Sequence, residues 1–147
     1  MRIKKTSETT PTMASVVNTT NSSTTDAYSC DYINEHLSGV VLYNNTSGTT
    51  GDITLSDSLS NYSRIDVYCA KGSDSNVCSF WKFDASITIT AISQWGTTSY
   101  QLLSKRYTIT NSTTLTSSYS NYTNVIDGAI TQGSENQIKV YKIVGYK

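Results

Sequence analysis

The sequence predicts an all-β chain, an antiparallel β-sandwich of jelly-roll-like form, and three observations predict it. Charge is sparse, with only 15% of the 147 residues being Asp, Glu, Lys or Arg. Ser and Thr make up roughly a third of the chain, and Tyr supplies 11 aromatics against 2 Trp and 2 Phe, a set that suits pleated, half-buried surfaces better than helices. Short apolar segments alternate with polar residues, and turn chemistry separates them at roughly 8–12 residue intervals, as in sandwiches and jelly rolls. A chain of this length supports one core.

Residues 1–27 are Ser, Thr, Asn and charge, with the lone proline at Pro11. They read as an extended polar arm that buries no core of its own. Thr24-Thr25-Asp26 then offers an N-cap, and Cys30, Ile33 and Leu37 recur at i, i+3 and i+7, which predicts one short helix, a neck over 28–38 that Gly39 ends. Alone, so short a helix is marginal, so its apolar stripe needs a partner surface.

From residue 39 to 147 the reading is β. Val40-Val41-Leu42-Tyr43 is a short apolar run, followed by a Gly-containing loop over Asn44 to Asp52 and by Ile53-Thr54-Leu55. Tyr62 to Ala70 puts Ile65, Val67 and Cys69 on one face and Arg64, Asp66 and Tyr68 on the other. Turn residues over 71–76 return the chain as a hairpin through Val77 to Phe83, with Trp81 and Phe83 sharing a face that the alternation assigns to the core. Ser86 to Ser93 is a strict period-2 strand. A loop, Gln94 to Thr98, precedes a longer strand, Ser99 to Thr110, with Leu103, Tyr107 and Ile109 on one face and Lys105 among them. Thr113 to Tyr122 reads as a weaker polar strand or loop. Asn136 to Tyr146 is apolar on both faces, which predicts a central strand or one buried against another subunit.

The same residues exclude several classes of function. Lys+Arg and Asp+Glu both total 11, so the basic excess of a phosphate-binding protein is missing and no nucleic-acid partner is expected. Met1-Arg2-Ile3-Lys4-Lys5 lacks a following apolar region, so neither a signal peptide nor membrane insertion is predicted. Of three cysteines, Cys69 and Cys78 flank Ser73-Asp74 symmetrically. They read either as two reduced small apolar residues or as a pair facing each other across the hairpin. Zinc needs about four ligands, and the lone histidine, His36, is remote from this pair, so no metal or cofactor is predicted.

A nucleophilic triad has only His36 to draw on. No spacing selects a hydrolytic pair from Asp52, Asp57, Asp66, Asp84 and Asp127, most of which flank turns and cap backbone groups there. The chain is therefore expected to be non-enzymatic. Asn-x-Ser/Thr triplets at Asn18, Asn21, Asn45, Asn61, Asn111 and Asn121 are expected by composition in so Ser/Thr-rich a chain. The candidate ligand-binding residues are Trp95, Tyr100 and Gln94. A tryptophan in a loop beside Gly96 can stack on the apolar face of a sugar while Gln94, Thr97 and Thr98 bond its hydroxyls. The alternative is that Trp95 folds back as a lid on the core or packs on a neighbouring subunit.

GDITLSDSLSNYSRIDVY (residues 51–68), a tryptophan in the next strand region, SITITAIS (86–93), YQLLSKRYTIT (100–110) and the terminal NQIKVYKIVGYK (136–147) together resemble the C-terminal module of bacteriophage tail-fibre and related minor virion proteins. The resemblance covers about residues 39–147, and TSETTPT (6–12) and STTDAYSCDYIN (23–34) resemble the linker and short helix that precede such modules. It implies a homotrimeric, cofactor-free β-structured fibre end exposed on the virion. The neck residues Cys30, Ile33 and Leu37 would pack around the threefold axis, the arm would contact other virion proteins, and bacterial surface polysaccharide would be the ligand. A head fibre decorating the capsid, without receptor binding, is the alternative.

Overall fold

The computed structural model describes residues 38–81 and 85–147. The arm and the neck helix, with Cys30, Ile33, His36 and Leu37, lie outside the described residues, as do Phe83 and Asp84. The compact β-unit spans Gly39–Lys147.

Nine strands run in chain order: β1 (Val40–Thr49), β2 (Ile53–Thr54), β3 (Arg64–Lys71), β4 (Asp74–Phe80), β5 (Ser86–Gln94), β6 (Ser99–Asn111), β7 (Thr114–Ile126), β8 (Ala129–Gly133) and β9 (Lys139–Tyr146). A single 3-10 turn, Leu59–Asn61, is the helical element among the described residues. One sheet has the order β1-β9-β3-β4, the other β2-β7-β6-β5, with β8 beside β2 on the outer edge of β7; every pairing is antiparallel. The chain enters the first sheet on β1, crosses to the second on β2, and finally crosses back from β8 to β9. Those outer crossings make the sandwich jelly-roll-like, whereas β3–β4 and β5–β6–β7–β8 are plain hairpins.

The alternation read in the sequence drives the packing. Ile65, Val67 and Cys69 of β3, Ile87, Ile89 and Ala91 of β5, and Leu103 and Tyr107 of β6 meet Leu42, Ile53, Leu115, Val140 and Ile143 in one core. Since each buried aliphatic side chain contributes about 1.5–3 kcal/mol, this inner layer is the main source of stability. The terminal strand β9 lies between β1 and β3, at the middle of its sheet, as its two apolar faces predict. Gly145 is required there, because a Cβ would come within 2.5 Å of Tyr62 Cδ1.

The strands depart from expectation at four places. β1 continues through the residues read as the Asn44–Asp52 loop. The Asn45 side chain accepts from Ser47 N at 3.0 Å, and Gly48 takes a positive φ of 66°. This turn chemistry is absorbed as an irregularity inside the pairing with β9 instead of ending the strand. The polar stretch after Thr113, read as a strand or loop ending at Tyr122, is a strand that runs on to Ile126, the 13-residue β7, anchored through fully buried Leu115. β8 follows a turn, Asp127-Gly128, in which both residues have positive φ (48° and 85°), the backbone of the hairpin turn that Asp-Gly favours. Lastly, β4 ends at Phe80, and Trp81 is not a core residue: it is 67% exposed.

The edge where β4 of one sheet meets β5 of the other is closed by side chains. Thr90 N donates to Cys78 Sγ (3.3 Å), Ile92 N to Asn76 Oδ1 (3.3 Å) and Ser93 Oγ to Asp74 Oδ2 (2.6 Å). Groups of β4 thus occupy main-chain donors along the open edge of β5, which blunts it against pairing with another chain.

Candidate functional site

Strand register assembles the site. Gln94 and Tyr100 are direct partners across the β5–β6 hairpin, and Trp95 is the first residue of the loop between them. Trp95 N donates to Ser99 O at 3.2 Å, and Gln94 Nε2 donates to Gly96 O at 2.8 Å. Thr98 Oγ1 donates to Asp127 Oδ1 at 2.5 Å, tying this loop to the β7–β8 turn. The Ser93–Asp74 bond brings the β3–β4 turn to the same end of the sandwich. All three sequence-predicted residues therefore come together on a braced loop end. Trp95 is 51% exposed and does not cap the core.

From this end an uncharged band runs over the outer face of the five-stranded sheet. Two adjacent rows cross it: Gln94, Tyr100, Val125 and Ile130, then Ile92, Leu102, Thr123 and Gln132. Ile92 (56% exposed), Leu102 and Ile130 (67% exposed) stand in solvent. A depression of about 370 Å³ lies alongside, between Thr90, Ile92, Leu102, Ser104, Asn121 and Thr123. An exposed aromatic ring beside neutral amides and hydroxyls can stack on a pyranose and bond its hydroxyls, and an uncharged aliphatic band suits contact with another protein surface. The aliphatic members were not singled out from sequence, although their positions in the period-2 pattern mark them as outward-facing.

Trp81 belongs to a separate cluster on the outer face of the four-stranded sheet. The Arg64 guanidinium lies 3.9 Å from the Tyr146 ring centroid and 5.2 Å from that of Trp81, and it contacts Asp66 Oδ2 at 3.3 Å. This stack explains why a large aromatic stands in solvent. Its ring packs on a planar cation instead of the core.

Lys105, noted within an apolar face, is fully buried. Its ammonium donates to Thr50 O at 2.6 Å, to Ser117 Oγ at 2.9 Å and to Asn136 Oδ1. These acceptors come from the β1–β2 crossover, β7 and the β8–β9 crossover, so one side chain ties together the segments on which the chain changes sheets. Burial holds the ammonium below the usual lysine range, and the negative charge of Asp52 opposes this in part.

Cys69 and Cys78 are both free thiols. The turn centres on Gly72-Ser73, one residue earlier than the symmetric reading requires, so Cys69 pairs with Asn76 and Cys78 with Val67. The cysteines therefore sit diagonally, not opposite each other. The Cys69 thiol donates to Cys78 and holds the Cys78 thiol down, while Cys69 itself is pushed up, first by this bond and then by burial.

The described aspartates are engaged in structure. Asp57 accepts from Tyr62 Oη (2.8 Å), Ser58 N (2.7 Å) and Asn61 Nδ2 (2.9 Å), and Asp52 accepts from Ser117 N at 2.8 Å. Asp66 is held by Arg64, and Asp127 by Thr98. Among the described residues no group of three or more His, Cys, Asp or Glu is placed to hold a metal ion, and no helix is long and apolar enough to cross a membrane. Comparison with protein-family models, curated proteins and solved structures finds no match.

Proposed function

We propose that this chain is the β-structured end module of a bacteriophage virion fibre, homotrimeric and non-enzymatic, that contacts bacterial surface glycan through the loop end around Trp95. The observation that carries the reading is the half-exposed Trp95, braced at the hairpin tip with Tyr100 and Gln94 beside it. A rigid aromatic platform ringed by neutral hydrogen-bonding groups suits sugar recognition, since it loses little conformational freedom on binding. The resemblance of residues 39–147 to fibre modules supports the virion setting, as does the low charge.

A second reading keeps the virion and drops the receptor: a capsid-decorating head fibre or fibre-anchoring protein. The exposed aliphatic band of Ile92, Leu102 and Ile130 favours it, because such side chains suit contact between protein subunits more than contact with sugar. Binding of the purified full chain to host-wall polysaccharide separates the two. Saturable binding, lost in Trp95→Ala, is expected for the glycan reading. Absence of binding to every host envelope fraction, together with a trimeric mass by light scattering, would leave the decorating role. A monomeric mass would remove the trimeric fibre from both.

A further inference from the structure

We propose that the outer face of the four-stranded sheet carries a second glycan site, one that takes a sugar bearing an anionic group, a carboxylate or a phosphate. This inference rests on the glycan-binding reading but concerns the opposite face of the sandwich. A groove of about 320 Å³ opens there, with Tyr68 and Tyr141 at its sides and Ala70, Gly72, Ser75 and Val77 along it. That is the lower end of the size range of small-molecule sites.

Two backbone irregularities converge on Tyr141. In β9 the pairing with β3 slips between Cys69, opposite Val140, and Tyr68, opposite Lys142, which leaves Tyr141 as the extra, unpaired residue. In β1 the positive φ of Gly48 falls where the pairing with β9 is interrupted, and a Cβ on Gly48 would lie 2.9 Å from the Tyr141 ring. The ring therefore rests against bare backbone. A bulge re-aims the side chain it carries, and here Tyr141 lines the same groove as Tyr68, with Ala70 and Ser75 also along it. Two aromatic walls about a shallow floor match the flat, apolar faces of a pyranose.

The charge around the groove selects the substituent. Lys139 and Lys142 are the register partners of Ala70 and Tyr68. The Lys142 ammonium lies 5.8 Å from the Tyr68 ring centroid, and Lys139 Nζ makes one long contact, 3.5 Å, to Ser47 O. Among the described residues no carboxylate forms an ion pair with either ammonium, and Asp74 by the turn is bonded to Ser93. Both ammonium groups are thus uncompensated by carboxylate and stand beside the aromatic walls, which favours an anion on the bound sugar.

The test is a titration of the isotope-labelled full chain, followed by amide chemical shifts, with three probes: hexagalacturonate, a phosphorylated mannooligosaccharide and neutral maltohexaose. Saturable shifts at Ala70, Gly72, Ser75 and Val77 with one or both anionic probes are expected, the responding arm naming the anion. Lys139→Gln combined with Lys142→Gln changes one exposed and one partly exposed side chain, neither of them in the core. It should weaken anionic binding about tenfold, equivalent to one lost charge-assisted contact. Ser75→Leu, which fills the groove, should abolish it. Equal affinity for maltohexaose, no effect of the double lysine variant, or no shifts at these four residues with either anionic probe would each overturn the proposal. Shifts confined to Gln94–Tyr100 would overturn it too, while leaving the loop-end reading standing.

Discussion

Replacing Lys105 with methionine keeps most of the side-chain volume and removes the ammonium. Three charge-assisted hydrogen bonds are lost, and at about 1.5–3 kcal/mol each they total roughly 4–9 kcal/mol. Against this stands the cost of burying the charge, which is several kcal/mol for a desolvated ion and is recovered in the variant. The stranded acceptors are mostly cared for. Thr50 O still accepts from Asn136 Nδ2 at 2.8 Å, and Asn136 Oδ1 still accepts from Ser120 Oγ at 3.3 Å. The Ser117 hydroxyl can turn. The balance is a loss of about 2 kcal/mol, read in urea as a midpoint lower by about 1 M with an unchanged m value. Lys105→Ala should lose about 2 kcal/mol more, from the cavity it leaves.

The pH dependence distinguishes the charge from the volume. Because burial lowers the folded-state pKa of Lys105, the unfolded chain holds the proton more tightly. Wild-type stability relative to Lys105→Met should therefore rise with pH between the folded pKa and the ordinary lysine value, then level off. Tyr62 also titrates at alkaline pH but is remote from Lys105 and cancels in the difference. A methionine variant as stable as wild type, with no alkaline divergence, would show that these bonds contribute nothing beyond the desolvation they offset.

Three further outcomes are expected. Gly145→Ala should cost about 1–3 kcal/mol in thermal unfolding by overpacking, since the added Cβ meets Tyr62 Cδ1 at 2.5 Å and Leu42 Cδ1 at 2.9 Å; unchanged melting would mean the Tyr62 ring moves freely. Asp57 lies below the ordinary carboxylate range because Tyr62, Ser58 and Asn61 donate to it, so its contribution is complete above its unfolded pKa of 3.8 and fades as pH falls through the folded value. Asp57→Asn should flatten the melting profile in that acid window, and an identical slope would remove Asp57 as its cause. Iodoacetamide should alkylate partly buried Cys78 well below the pH at which an ordinary thiol reacts, and spare fully buried Cys69 while the fold persists. Cys69→Ser should move Cys78 reactivity; equal labelling of both cysteines by mass spectrometry would contradict this.

Strand identity was legible in residues 39–147 wherever it is a local property. The alternation of Ser86–Ser93 names its own buried face, and the apolar run of the terminal strand matches its place between β1 and β3. The shared position of Gln94, Trp95 and Tyr100 at one loop end was legible as well, since they lie within seven residues of one hairpin. What depends on a partner from elsewhere in the chain was not legible. Trp81 is as apolar as any core residue, and its exposure follows from Arg64 and Tyr146, which only the sheet brings beside it. Cys69 and Cys78 lost their symmetry to a one-residue shift of the turn, because register is settled by the energy of the whole hairpin. Asp127-Gly128 did carry a local hairpin signal that went unread, as its flanking strands are largely polar. The three acceptors of Lys105 lie 12 to 55 residues away in sequence, and the Tyr68–Tyr141 groove lies where β9 slips past β3 by one residue. Periodicity reports which face a residue takes, but long-range pairing decides what it meets there.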